Sequence, residues 1–123
     1  NALHYRRTGV PPVVRITAEE HDGQVTVAVQ DNGMGIDPAA HERIFEAFTR
    51  LAGDEAHPGT GIGLAVVRRA AHAMDTDVTV ESVVGEGSTF RVTLPAATGS
   101  YPQGGSSTRV LSDDDDVLAW YVA

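Results

Sequence analysis

Apolar and polar positions alternate most clearly in two pairs of segments. Val14, Ile16 and Ala18 fall on one face of an extended run, and after His21-Asp22-Gly23 the set Val25, Val27 and Val29 repeats the pattern. Two such runs around a short glycine-containing turn predict a β-hairpin. Val78-Thr79-Val80-Glu81-Ser82 and Thr89-Phe90-Arg91-Val92-Thr93-Leu94 flank Gly85-Glu86-Gly87 and predict a second one. Between the hairpins the spacing turns helical. Asp37 as cap and Pro38 as first residue open a helix through about Thr49, and Gly61 to Met74 forms another. In the second helix Leu64, Val67, Ala71 and Met74 share one side, which should cover the sheet, while Arg68, Arg69 and His72 face away. The prediction is an α+β fold: a sheet with helices on one face.

After Pro95 the pattern stops and Gly, Ser, Thr and Pro take over. This predicts a domain over 1–96 and a linker with an acidic tail over 97–123. In the tail, Asp113 to Asp116 after Ser112 reads most simply as the start of a short capped helix, its aspartates favoured by the positive helix start. The alternative is that strand-like Arg109-Val110-Leu111 before clustered aspartates resembles the opening of a response-regulator receiver.

Composition narrows the function classes. With 123 residues, 41% hydrophobic and 21% charged, the chain holds one ordinary core and no second one. A net charge of −8 disfavours nucleic acid and anionic membranes as partners, yet permits a local phosphate pocket. Without cysteine there are no disulfides or thiolate metal sites, and no apolar run is long enough for a membrane span or signal peptide. Asn1-Ala2-Leu3-His4-Tyr5 enters a helical reading without an initiator Met or a cap, so the chain reads as a fragment.

Three segments carry candidate chemistry. Asp31-Asn32-Gly33-Met34-Gly35-Ile36 follows a strand and precedes a helix. A carboxylate at a strand end can accept from an exocyclic amine, and the glycines let a purine approach the backbone. Taken alone, Asp-Asn-Gly is more often an ordinary turn. Gly59-Thr60-Gly61-Ile62-Gly63-Leu64 leads into the second helix, where free N–H groups and the helix dipole suit a polyphosphate; a mobile hinge is the equal alternative. It matches neither a Walker A loop nor a Rossmann fingerprint. In Ile44-Phe45-Glu46-Ala47-Phe48-Thr49-Arg50, the two rings read first as core, and Arg50 precedes a loop from which it could reach a phosphate.

In this order and at these intervals, Asn1 to Tyr5, Asp31 to Ile36, Phe45 to Arg50, Gly59 to Leu64 and Gly85 to Phe90 resemble the N, G1, F and G2 boxes and closing hairpin of sensor histidine kinases. The likeness covers about residues 1 to 95. Around Tyr5-Arg6-Arg7 and Phe48-Thr49-Arg50-Leu51 the wording is similar to phytochrome-type sensors. The resemblance implies a two-layer α/β sandwich of the Bergerat type, with a mixed sheet, incomplete at its N-terminus. It implies ATP and Mg²⁺ as ligands, with Asn1 on the metal and Tyr5 beside the adenine. Asp31 would recognise the base with Thr89 supporting it through water, and Gly33, Gly35 and Ile36 would shape the base pocket. Phe48 and Arg50 would close towards the phosphates, and Gly59, Thr60, Gly61, Gly63 and Leu64 would form lid and cradle. No covalent nucleophile is implied, so catalysis would be positioning and charge neutralisation.

Two substitutions depart from the family pattern. His4 stands where a phosphate-binding lysine is usual, which removes a fixed charge. Asp75-Thr76-Asp77 replaces a glycine pair, so the helix cap must be left-handed without glycine, at a cost in stability only. None of His4, His21, His41, His57 and His72 lies in a phosphoacceptor context. The resemblance therefore implies transfer of the ATP γ-phosphoryl to a histidine on a separate dimerisation domain, with a response-regulator receiver further on and a cytoplasmic location. A non-catalytic nucleotide-binding regulatory module and an anti-sigma-factor-like serine kinase remain as alternatives, although Phe45 and Phe48 speak against the latter.

Overall fold

The computed structural model describes residues 1–49 and 60–97 together with the strand Thr108–Arg109. Strand β1 (Val14–His21) and β2 (Gln24–Asp31) form the first hairpin, paired from Val14 opposite Asp31 to His21 opposite Gln24. Its turn is Asp22-Gly23 with φ of 51° and 74°, and two positive values in a two-residue loop match the twist of antiparallel strands. Strands β3 (Val78–Val83) and β4 (Gly87–Pro95) form the second hairpin, with Gly85 supplying φ of 84° in its turn. Thr108–Arg109 forms a short β5 opposite Val14 and Arg15.

The order across the sheet is β3-β4-β2-β1-β5, and every described pairing is antiparallel, which corrects the mixed sheet expected from the sequence. The reason lies in the connections. The segment between β2 and β3 crosses the sheet and leaves β3 running parallel to β2, but β4 turns back from β3 and inserts between them.

Alternation sends Val14, Ile16, Val27, Val29, Val78, Val80, Phe90 and Val92 to one face and Arg15, Thr17, Thr26, Gln30, Thr89 and Arg91 to the other. The core lies on the apolar face. Ala40, Ile44, Phe45, Ala71 and Val78 are buried there, with Ile36, Leu64, Val80, Phe90 and Val92 packed around them. Phe45 and Phe90 meet edge to face at 6.4 Å between ring centres.

The first predicted helix is not continuous. Asp37 caps as expected, its Oδ1 accepting from the Ala39 N–H at 2.8 Å, but only two short turns of 3-10 helix follow, Pro38–Ala40 and Arg43–Phe45. Glu46 then leaves helical space with ψ of 137°, and Phe48 sits at φ of 64° with its N–H donating to the Gly61 carbonyl at 2.9 Å. That tertiary bond outweighs helix propensity over so short a run.

The second helix, α1 (Gly63–His72), forms with Leu64 and Ala71 inward, but Val67 and Met74 are exposed. Arg68 turns inward instead of facing solvent. Its guanidinium lies 5.0 Å from the Phe45 ring centre, grips Asp77 through Nε and Nη2 at 3.1 and 3.2 Å, and reaches Glu42 at 3.2 Å. A charged residue on the sheet side is tolerated because its planar head stays paired at the rim.

Asp77 also accepts from the Val78 N–H at 2.8 Å, and this bond and Arg68 together hold its carboxyl below the usual carboxylate range. A lowered folded value means that the contribution is complete above about pH 4 and disappears as pH falls through the folded value. Urea midpoints measured from pH 7 down to about pH 2 should therefore fall more steeply for the natural chain than for Asp77→Asn. At 44% side-chain exposure, salt should shrink that difference.

The left-handed cap expected after α1 is present. Asp75 has φ of 55°, its N–H donates to the His72 carbonyl, and the Thr76 N–H donates to the Ala71 carbonyl, both at 3.1 Å. This is the bonding of a Schellman motif built without glycine. Asp75→Gly relieves the left-handed strain and should stabilise the fold by about 1 kcal/mol, visible as a melting point a few degrees higher.

Candidate nucleotide site

Asp31 ends β2, and the ladder sets it opposite Ser88 near the start of β4. The two therefore share the apolar face of the sheet, at the edge of the core. Asp31 Oδ1 accepts from the Gly33 N–H at 2.8 Å, a local turn that orients the carboxylate.

The loop after Asp31 is tied on both sides. The Met34 N–H donates to the Tyr5 carbonyl at 2.8 Å and the Gly85 N–H donates to the Met34 carbonyl at 2.7 Å. Arg7, which sequence reasoning left without a role, joins the same elements: Nε donates to the Asn32 carbonyl at 2.9 Å and Nη1 to the Gly85 carbonyl at 2.6 Å. Asn32 is structural, its side chain bonding Val13 and Pro11 in the approach to β1.

Gly33 and Gly35 are required by close backbone approach. A Cβ on Gly33 would press on the Tyr5 carbonyl and the Asp31 carboxylate, and one on Gly35, at φ of 72°, would overlap the Val83 carbonyl. Ile36 follows, half-buried against the core, with its N–H donating to Ser82 Oγ at 2.8 Å.

Thr89 does not stand with Asp31. It pairs with Gln30 on the opposite face, beside Arg15, Thr17, Thr26 and Arg91, around a polar cavity of about 300 Å³. The residue on the Asp31 face is Ser88, 6% exposed, and Ser82 Oγ lies 2.9 Å from its hydroxyl. Counting two back from the inward Phe90 gives Ser88, so strand parity is the signal in the sequence that marks it.

In the second glycine motif, Gly61 has φ of 67° and lies against the backbone of Phe48 and Thr49, whereas a Cβ on Gly63 would meet open space. Among the described residues the α1 start has neither a side-chain cap nor an acidic residue in its first turn, and the N–H groups of such a helix start suit an anion. Thr60 is exposed, Leu64 is half-buried, and Phe48 is 77% exposed, which removes it from the core that Phe45 joins. Arg50 and Gly59 lie outside the described residues. Asn1 and His4 are exposed and Tyr5 is half-buried, with the Asn1 carbonyl accepting the N–H groups of His4 and Tyr5 at 2.9 Å.

An antiparallel sheet with one helical layer, a carboxylate at a strand end and a glycine-led helix start are the parts of a nucleotide-binding ATPase domain. Residues 1–98 match the family described as histidine kinase-, DNA gyrase B-, and HSP90-like ATPase, and the chain belongs to that family. Within it, the chain is an ATP-binding domain of the sensor histidine kinase kind. Cyanobacterial phytochrome A of Nostoc sp. is 39% identical over 95 residues, which cover 77% of this chain and 12% of that protein. The sensor-like histidine kinase SenX3 of Mycobacterium tuberculosis is 39% identical over 105 residues, covering 82% of this chain and 25% of that protein. The crystal structure of full-length ShkA in complex with AMPPNP superimposes with a TM-score of 0.68 at 38% identity, covering 82% of this chain and 20% of that one. The chain thus spans a quarter or less of these proteins. Among the described residues no helix is long and apolar enough to cross a membrane.

Proposed function

We propose that this chain holds Mg-ATP as the phosphoryl donor for a histidine on a separate dimerisation and phosphoacceptor helix domain, in a cytoplasmic two-component phosphorelay ending at a response-regulator receiver. The observation that carries this reading is the placement of Asp31 and Ser88 side by side at two strand ends, bordered by a loop in which Gly33 and Gly35 leave no room for a Cβ.

In this reading Asp31 accepts from the adenine amine, with Tyr5 beside the ring and Gly33, Gly35 and Ile36 forming the pocket wall. The N–H groups at the α1 start meet the phosphates, helped by Gly59, Thr60, Gly61, Gly63 and Leu64, while Arg50 and Phe48 approach from the preceding loop. Asn1 offers a hard amide oxygen suited to Mg²⁺, an ion that keeps most of its shell from water and phosphate. Once bound, the metal neutralises phosphate charge. The remaining contribution of the chain is to hold the γ-phosphorus in line with the incoming imidazole. That nitrogen forms the new N–P bond as the bond to the bridging oxygen breaks and ADP leaves.

Titration calorimetry with ATP, with and without Mg²⁺, followed by radiolabel transfer to a supplied dimerisation domain, tests the reading. Binding strengthened by Mg²⁺ and label on histidine are expected. Binding without transfer would favour a regulatory module instead. His4→Lys restores the fixed cation and should tighten ATP about tenfold at low salt, a gain that rising salt erodes.

A further inference from the structure

One hydroxyl beside the base pocket has an occupancy that can be worked out atom by atom. Among the described residues Ser82 Oγ has three hydrogen-bond neighbours: the Ile36 N–H at 2.8 Å, the Gly87 carbonyl oxygen at 2.8 Å and Ser88 Oγ at 2.9 Å. An amide N–H only donates and a carbonyl only accepts. The single hydrogen of Ser82 is therefore committed to Gly87, and one lone pair is committed to Ile36. What remains for Ser88 is a lone pair, so the Ser88 hydroxyl must be the donor in that contact. Its own hydrogen is then used, and Ser88 has only lone pairs left for the rest of the site.

Ser88 is 6% exposed and stands opposite Asp31 in the ladder. Asp31 is likewise an acceptor, one of its oxygens already receiving the Gly33 N–H. These two side chains at the strand ends thus offer acceptors and no donor.

We propose that Ser82 is a positioning residue that sets nucleobase specificity. By fixing the direction of the Ser88 hydrogen it makes Ser88 an obligate acceptor, so the site favours a purine with an amino group at position 6 over one with an oxygen there. The inference rests on the reading of Asp31 as the base-recognising group and extends it to a residue that need not touch the ligand. A site whose buried acceptors face an acceptor on the ligand leaves both unpaired, which is a strong ground for rejection.

The probes are ATP and inosine triphosphate, which exchange an amino group for an oxygen at position 6, titrated into the full 123-residue chain. The natural protein should prefer ATP. In Ser82→Ala the Ser88 hydrogen is released and the preference should fall about tenfold, whereas Ser82→Thr, which keeps the hydroxyl, should retain it. Equal weakening of both nucleotides in Ser82→Ala, with the ratio unchanged, would overturn the proposal, because loosening the loop predicts that result. If Ser82→Ala fails to fold, as judged by circular dichroism, Ser88→Ala carries the test. A lower ratio there supports the acceptor role and an unchanged ratio ends it. Asp31→Asn separates the two layers. Should it erase discrimination while the serine variants keep it, the base pocket stands and the role of Ser82 falls. No preference in the natural protein would remove the base-pocket reading, and this inference with it.

Discussion

Asp31→Ala is expected to weaken ATP binding by about a hundredfold, the loss that follows from removing one charge-assisted hydrogen bond. The Asp31 carboxylate has two jobs. One oxygen accepts from the Gly33 N–H at 2.8 Å, and in the proposed site the other would receive the adenine amine. Alanine removes both, so a small loss of stability, about 1 kcal/mol, should accompany the loss of affinity. Asp31→Asn can keep the bond to Gly33 and alters the second function more selectively. Calorimetry and thermal melts on the two variants distinguish the roles: both should bind ATP poorly, and only alanine should melt clearly earlier. Unchanged affinity in both would mean that the purine is held elsewhere.

Gly87→Ala should have the larger effect on folding. Gly87 has φ of 133°, a region that side chains rarely enter, and a Cβ there would overlap the Asp31 carbonyl oxygen and crowd Asn32 Cα. Both contacts are with backbone in a sheet, so no flexible side chain can swing aside. Strain and overpacking together suggest a loss of about 2–4 kcal/mol. Because the displaced strand end carries Asp31, affinity for ATP should drop as well. A urea midpoint close to that of the natural chain would show that the strand end yields more easily than its ladder suggests. Gly85→Ala is the matching control: it also has positive φ, at 84°, but a Cβ there meets nothing within 4 Å, so only the conformational cost remains.

Both hairpins were legible in the sequence because alternation and glycine turns are local, and local rules fixed their registers. The parity of β4 is legible too: counting from the inward Phe90 puts Ser88, and not the Thr89 that the resemblance implies, on the Asp31 face. The continuous helix after Asp37 was not foreseeable as a failure. Ala39 to Phe45 has acceptable propensity, and what ends it is the bond from Phe48 to Gly61, a partner brought near only by the fold. Arg68 was hidden for a similar reason. A cation in a helix reads as solvated until Phe45, Glu42 and Asp77 are assembled around it. Of the site, the strand-end carboxylate and the glycine loop are visible as types, whereas Arg7 and Ser82 act through the backbone of distant segments and carry no motif of their own.

The ladder between β2 and β4 has a consequence for the order of assembly. Each hairpin can close quickly by itself, since its strands are neighbours in the chain. Joining the hairpins requires a loop closure across everything between Asp31 and Gly87, and that late event alone brings the carboxylate to Ser88. The proposed binding place is therefore a seam that belongs to neither half. In the proposed site a nucleotide would act as a rivet, adding its grip to the backbone row, the apolar layer and the bonds from Arg7 and Met34 to Gly85 that already join the two units.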